Sequence, residues 1–355
     1  MKKELLIASA LVGSLGFAGL AEAASSTISG KHRVGMVSSD SDSADETRAN
    51  HEQSSFSISV SETTDGGVTI STGFDLAEET HTYDPSGLTL AFTSGSKLDL
   101  ISAGNGASSQ LATVPGASGE QGIAGTSTVN APTTLTYGDA SDAVGFEFHT
   151  AADAFGVEGL KASVSWSTND DGAVTSSTHV LENAYSLGAS YVSTAGDTTV
   201  TIGGGMYSVE SHGVKVDGSV VTTFAVSAVN GNLTIGAGFA SGDTNSVATT
   251  TTDSNTGIGY TVKGAEVTKA GASYVSGDMT FAIGYVSGTG NDGNTDTAAS
   301  GSDDKYQKTA ASIDYVVASG VTATVGFSDE VREDDGAAAT AVSGTSWYIG
   351  ANLSF

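Results

Sequence analysis

From residue 24 to the last residue, apolar side chains recur at every second position instead of every third or fourth, which is the period of a strand with one greasy face. The parity is plain in Phe56, Ile58, Val60; in Leu88, Leu90, Phe92; and in Val144, Phe146, Phe148. It returns in Tyr185, Leu187, Ala189, Tyr191 and in Met279, Phe281, Ile283, Tyr285. Ile28, Val34 and Met36 open the series, Trp347, Ile349, Ala351, Leu353 and Phe355 close it, and sixteen such segments can be counted. The opposite parity holds mostly Ser, Thr, Gly and Ala, as in Ser57, Ser59, Ser61 or Thr199, Thr201, Gly203. One face is therefore greasy and the other polar but small.

The connections alternate in length. Short ones such as Asp65-Gly66-Gly67, Ala195-Gly196-Asp197, Asn230-Gly231-Asn232 and Ser276-Gly277-Asp278 carry the Gly that hairpin turns need. Between them run long polar stretches near 38–53, 76–87, 102–141, 167–182, 242–265, 288–305 and 329–343. The turn near 151–159 is long for the short side, and the loop near 210–217 is short for the long side. An even number of alternating strands with short turns at one end and long loops at the other predicts a 16-stranded antiparallel up-and-down transmembrane β-barrel, an all-β fold. Closure removes the unpaired edges that an open sheet would expose, and hydrocarbon then takes the apolar parity. Trp166, Tyr185, Tyr191, Tyr274, Tyr285, Tyr315 and Trp347 stand toward segment ends on that parity, where interfacial girdles form.

Ahead of the first strand, Lys2 and Lys3, an apolar run from Leu5 to Leu20 and Ala21-Glu22-Ala23 form the pattern of a cleaved secretory signal over 1–23. One barrel domain over 24–355 remains. The signal carries two charges of each sign, so the formal charge of −27 belongs to the mature chain. That acidity argues against a nucleic-acid partner, which needs a basic footprint. The absence of cysteine rules out disulfides, thiolate metal sites and thiol catalysis. The six histidines are scattered, with neither G-x-S-x-G nor H-E-x-x-H, so no enzyme is expected. A secreted or surface-anchored β-rich adhesin is the alternative, though the chain lacks a G-G-x-G-x-D calcium repeat.

The last ten residues, Ser346 to Phe355, end in Phe after apolar residues at every second position. That segment resembles the sorting signal of outer-membrane barrels, in which Trp347, Ile349, Ala351, Leu353 and Phe355 would be read by the barrel-assembly machinery. With the leader and the strand count, the chain resembles the general Gram-negative porins, particularly those of alphaproteobacteria. The resemblance implies a homotrimer in outer-membrane lipid and lipopolysaccharide, each barrel passing small polar solutes through a channel narrowed by its third long loop. That loop is 102–141 here, and a connection of such length is usually functional. It lacks the acidic Pro-Glu-Phe-Gly-type motif of enteric porins; only Glu120, Asp139 and the adjoining Asp142 carry charge.

Parity places Lys31, Arg33, Lys97, Lys161, Lys269 and Lys308 on the polar side, with Asp99, Glu147 and Asp314. Porins of this kind set a basic wall cluster against an acidic inward loop. The resemblance thus points to Lys31, Arg33, Lys97, Asp99 and Lys161 on the wall, with Glu120, Asp139 and Asp142 on the loop, as pore-lining residues. His32 falls on the apolar parity, where burial in a subunit contact would relieve it. Acidic clusters such as Asp40, Asp42, Asp45, Glu46 and Asp329, Glu330, Glu333, Asp334, Asp335 would form a negative rim favouring cations. They offer at most weak Ca²⁺ or Mg²⁺ binding, and no cofactor or dedicated metal site is expected.

Overall fold

The computed structural model describes residues 24–77, 83–100, 106–124, 129, 131–136, 144–168, 180–212, 219–245, 261–291, 304–334 and 341–355. The expected leader over 1–23 and the candidates Asp139 and Asp142 lie outside them. Sixteen strands form one closed antiparallel barrel, each hydrogen-bonded to its neighbours in sequence and the last to the first. They are β1 Ser25–Ser41, β2 Glu46–Thr63, β3 Thr69–Ala77, β4 Tyr83–Ala91, β5 Lys97–Leu100, β6 Val144–His149, β7 Leu160–Thr168 and β8 Val180–Ala195. The second half comprises β9 Thr198–His212, β10 Ser219–Asn230, β11 Leu233–Asn245, β12 Thr261–Ser276, β13 Met279–Asn291, β14 Asp304–Ala318, β15 Val321–Glu333 and β16 Val342–Ser354.

The barrel is inside out relative to a water-soluble fold. Outward side chains are large and apolar yet bare: Leu187 is 56% exposed, Phe224 49% and Ile349 61%. Their inward neighbours, among them Ser163, Ser186, Thr223, Ser328 and Ser346, are buried. Strand pleat puts alternate residues on opposite faces, so one parity must meet whatever surrounds the barrel. A continuous greasy exterior of this extent fits hydrocarbon, and closure leaves no backbone edge unpaired within it. No helix among the described residues is long and apolar enough to cross a membrane.

Aromatic residues mark both rims of the exterior. Tyr191, Tyr274 and Tyr315 lie toward the short-turn end, Tyr285 midway along its strand, and Trp166, Tyr185 and Trp347 toward the long-loop end. At that end Phe327 and Trp347 pack with ring centroids 4.7 Å apart, and Phe146 and Trp166 at 6.2 Å. The turns at Gly231 and Gly277 hold φ of 55° and 59°, the left-handed conformation their two-residue hairpins require. Closure is completed where Gly30 and Phe355 exchange backbone hydrogen bonds of 3.2 and 3.1 Å.

Strands run further into several expected loops than the sequence pattern shows, and the clearest case is the first. The stretch 38–53 is mostly strand: β1 runs to Ser41, β2 starts at Glu46, and only 42–45 turn. Polar residues on both parities hid it, because strands that project beyond the apolar belt are held by their ladder and need no greasy face. Asp42 helps close that rim, accepting hydrogen bonds from Ser343 Oγ and backbone N at 2.5 and 3.3 Å.

Candidate functional site

The lumen is the candidate site, and the described residues between β5 and β6, 106–124, 129 and 131–136, run inside it. Its one-turn helix α1, Gly106–Ser109, packs on β7 and β8. Gly106 N donates to Ser165 Oγ at 3.2 Å and Ala107 N to Ser186 Oγ at 2.6 Å. Gln110 is clamped at both ends of its amide, donating to Ser163 Oγ at 2.5 Å and accepting from Ser190 Oγ at 2.6 Å. Inward serines on neighbouring strands thus satisfy the backbone and amide groups that an irregular segment would otherwise bury unpaired.

Inward glycines make room for the rest. A Cβ at Gly203 would strike the carbonyl oxygen of Gln110, one at Gly271 that of Pro115, and one at Gly288 that of Pro132. The loop backbone therefore lies directly on the wall. Apolar contact completes this seat: Ala107, Ala112 and Leu135 pack on Tyr207, Val221, Ala225, Ala240, Ala265 and Val267, all buried. Thr223 Oγ1 donates to Leu135 O at 2.9 Å.

Beyond Gly116 the loop is held by charge and by polar groups. Ser118 N donates to Ser312 Oγ at 2.8 Å, and Arg33 Nη1 reaches Glu120 Oε1 at 2.8 Å. Lys308 donates to the carbonyl of Gln121 and stands 3.6 Å from Glu330, which is 1% exposed and bound by Arg332 at 2.6 Å. Ala124 is tied to β1 through Ser39 and Ser41, at 3.1 and 2.8 Å. Between this part of the loop and the wall lies a polar cavity of about 320 Å³, lined by Arg33, Ser118, Asp314, Thr324, Tyr348 and Asn352 among others.

The wall candidates are distributed as follows. Arg33 and Glu120 are in direct contact rather than across an open gap. Lys97 pairs with Asp99 on its own strand at 2.9 Å. Lys31 and Lys161 are exposed on the inward parity. His32 points outward and is exposed, with Nδ1 2.6 Å from Ser54 Oγ. Sequence reasoning missed Gln110, the Ser163–Ser190 clamp and the Lys308–Glu330–Arg332 cluster. The small inner parity was the visible signal for the seat, since a wall of Ser and Gly leaves volume for a second layer of chain.

Asp99, His149 and Ser163 form a chain of polar contacts. His149 Nε2 is 3.1 Å from Asp99 Oδ2, and Nδ1 is 2.8 Å from Ser163 Oγ. These are the residue types of a nucleophile relay, yet Ser163 is 2% exposed and covered by the Gln110 amide. A substrate carbonyl has no approach to that oxygen, so the geometry supports a structural relay.

No family model matches the chain, and no curated protein matches it. Solved structures do. The chain is similar to "OmpT (in-vitro folded), an outer membrane protein Vibrio cholerae (trimer form)", with TM-score 0.60 and 14% identity over 94% of this chain and 99% of that one. It is similar to a porin refined at 1.8 Å resolution, with TM-score 0.59, 17% identity and 93% and 100% of the two chains covered. An anion-selective porin from Comamonas acidovorans aligns with TM-score 0.59, 12% identity and coverage of 94% and 100%. At these identities the fold is what is shared, and it is that of a 16-stranded porin barrel.

Proposed function

We propose that the chain is an outer-membrane channel through which small hydrophilic solutes and ions diffuse passively, with a mild preference for cations. One observation carries the reading: the faces of a closed barrel are inverted around most of its circumference, and a long loop is fastened inside the polar lumen. A bare greasy exterior has a use only in lipid, and a seated loop sets a fixed aperture without moving parts. The neighbours are porins and outer-membrane proteins by description, one in trimer form, which supports membrane placement and a homotrimer.

The cation preference rests on 40 acidic against 13 basic residues. Within the lumen, Asp99 and Glu120 are each paired with a cation. The preference therefore originates at the acidic loop mouths, by field focusing, and is screened by salt. The rest of the reading includes cleavage after Ala23, recognition of Trp347, Ile349, Ala351, Leu353 and Phe355 by the assembly machinery, lipopolysaccharide at the outer rim, and alphaproteobacterial kinship.

Reconstitution in planar bilayers tests it. Stepwise conductance with a cation preference at low salt that fades near 1 M supports the proposal. Absence of steps would overturn the channel, and anion preference at low salt would overturn the selectivity.

A further inference from the structure

A second group of luminal side chains gathers around His149, which the channel reading does not use. Register sets Asp99 opposite Glu147 and Lys97 opposite His149 on β5 and β6, all on the inward parity. His149 Nε2 lies 3.1 Å from Asp99 Oδ2 and 3.5 Å from Glu147 Oε1. One ligand atom from each of the three residues falls within 4.8 Å of the other two. The far ring nitrogen of His149 is engaged by Ser163 Oγ at 2.8 Å, which fixes the ring and turns Nε2 toward the carboxylates. Thr89 donates to the other oxygen of Asp99, Oδ1, and Ser109 donates to Glu147 Oε1 itself, each at 2.5 Å. Both carboxylates are thereby oriented.

We propose that Asp99, Glu147 and His149 form a luminal site for a divalent transition-metal ion of the zinc class, with Ser163 as the residue that positions His149. Metal bonds of about 2.1 Å place adjacent donors about 3.0 to 3.4 Å apart in octahedral or tetrahedral arrangements. The 3.1 Å separation falls within that range and the 3.5 Å one just beyond it, so small side-chain adjustments close the site without rearrangement of the strands. One imidazole with two carboxylates favours such an ion over Mg²⁺ or Ca²⁺, which prefer oxygen alone. A hydrogen bond on the outer ring nitrogen is the usual partner of a ligating histidine. Lys97, 2.9 Å from Asp99 Oδ2, is 44% exposed and has room to withdraw into water when the ion arrives. The site then carries two carboxylates, a neutral imidazole and the ion, and the lysine's charge is solvated.

The test is titration of the chelator-treated, detergent-folded mature chain with zinc chloride by calorimetry, joined to X-ray absorption of the zinc edge. The expected result is one tight equivalent with a single imidazole and oxygen neighbours. Asp99→Asn and His149→Ala each weaken it at least about tenfold, and Ser163→Ala about tenfold. Lys97→Ala tightens it about threefold or more, because a competing cation is removed. A purely structural ion pair would not respond in that direction, so this variant decides the matter if a ligand variant does not fold. Absence of a tight equivalent, equal affinity in the Asp99→Asn/His149→Ala double variant, or no tightening in Lys97→Ala would overturn the site. Binding is read without current, so its failure is separate from failure of the channel.

Discussion

The inward loop has two seats, built from different physics. On β7 to β13 the seat is neutral: serine hydroxyls cap loop amides, and glycines such as Gly203 and Gly271 let backbone press on backbone. On β14, β15 and β1 it is charged: Lys308 holds the Gln121 carbonyl, Glu330 lies buried between Lys308 and Arg332, and Arg33 grips Glu120. The neutral seat fixes position by shape, which salt does not alter. The charged seat borders the polar cavity, to whose lining Arg33 itself contributes, and ion pairs of this kind weaken as salt rises.

The comparison can be broken most severely at the buried charge. Arg332→Leu strips Glu330 of its 2.6 Å partner while leaving the carboxylate 1% exposed. Loss of one member of a buried pair costs about 3–5 kcal/mol; because Lys308 still stands 3.6 Å from Glu330, urea unfolding of the folded barrel should show a destabilisation at the lower end, about 3 kcal/mol. Next comes Gly271→Leu, whose side chain would occupy the place of the Pro115 carbonyl. Overpacking of this kind costs about 1–3 kcal/mol, and a loop forced from its seat should become cleavable by protease in the folded barrel. A smaller effect is expected of Ser190→Ala. It leaves the Gln110 amide oxygen without its 2.6 Å donor and should cost about 1 kcal/mol in the same unfolding assay, independent of salt.

Arg33→Ala sharpens the contrast with the least change in stability. The pair it breaks is a quarter to a third exposed, 33% at Arg33 and 25% at Glu120, so about 0–1 kcal/mol is expected, and less at high salt. Conductance should respond more than stability. Removing a cation beside the cavity frees Glu120 and should raise cation preference in bilayer recordings at low salt. An unchanged preference would show that the loop mouths alone decide it.

Strand number, closure and which parity faces out were legible because each depends on a period of two that composition cannot conceal. Phe56, Ile58, Val60 announce β2 without any knowledge of β1. The stretch 38–53 was not legible, since strand beyond the apolar belt carries no greasy signal. Within the lumen, parity placed Arg33, Lys97 and Asp99 inward, but it could not pair them. Asp99 meets His149 through the register of β5 and β6, and Arg33 meets Glu120 across 87 residues of chain.

The order of hydrophobic and polar residues by itself determined a barrel with its grease outside, because the alternative faces of a strand are set by the pleat. Only the tertiary structure decided where the loop lies and which charges touch. Those contacts join residues distant in sequence, through side chains whose small size or single charge marks no partner in advance. Register and curvature bring Gly203 beneath Gln110 and Glu330 beneath Lys308, and neither quantity is written in a local pattern.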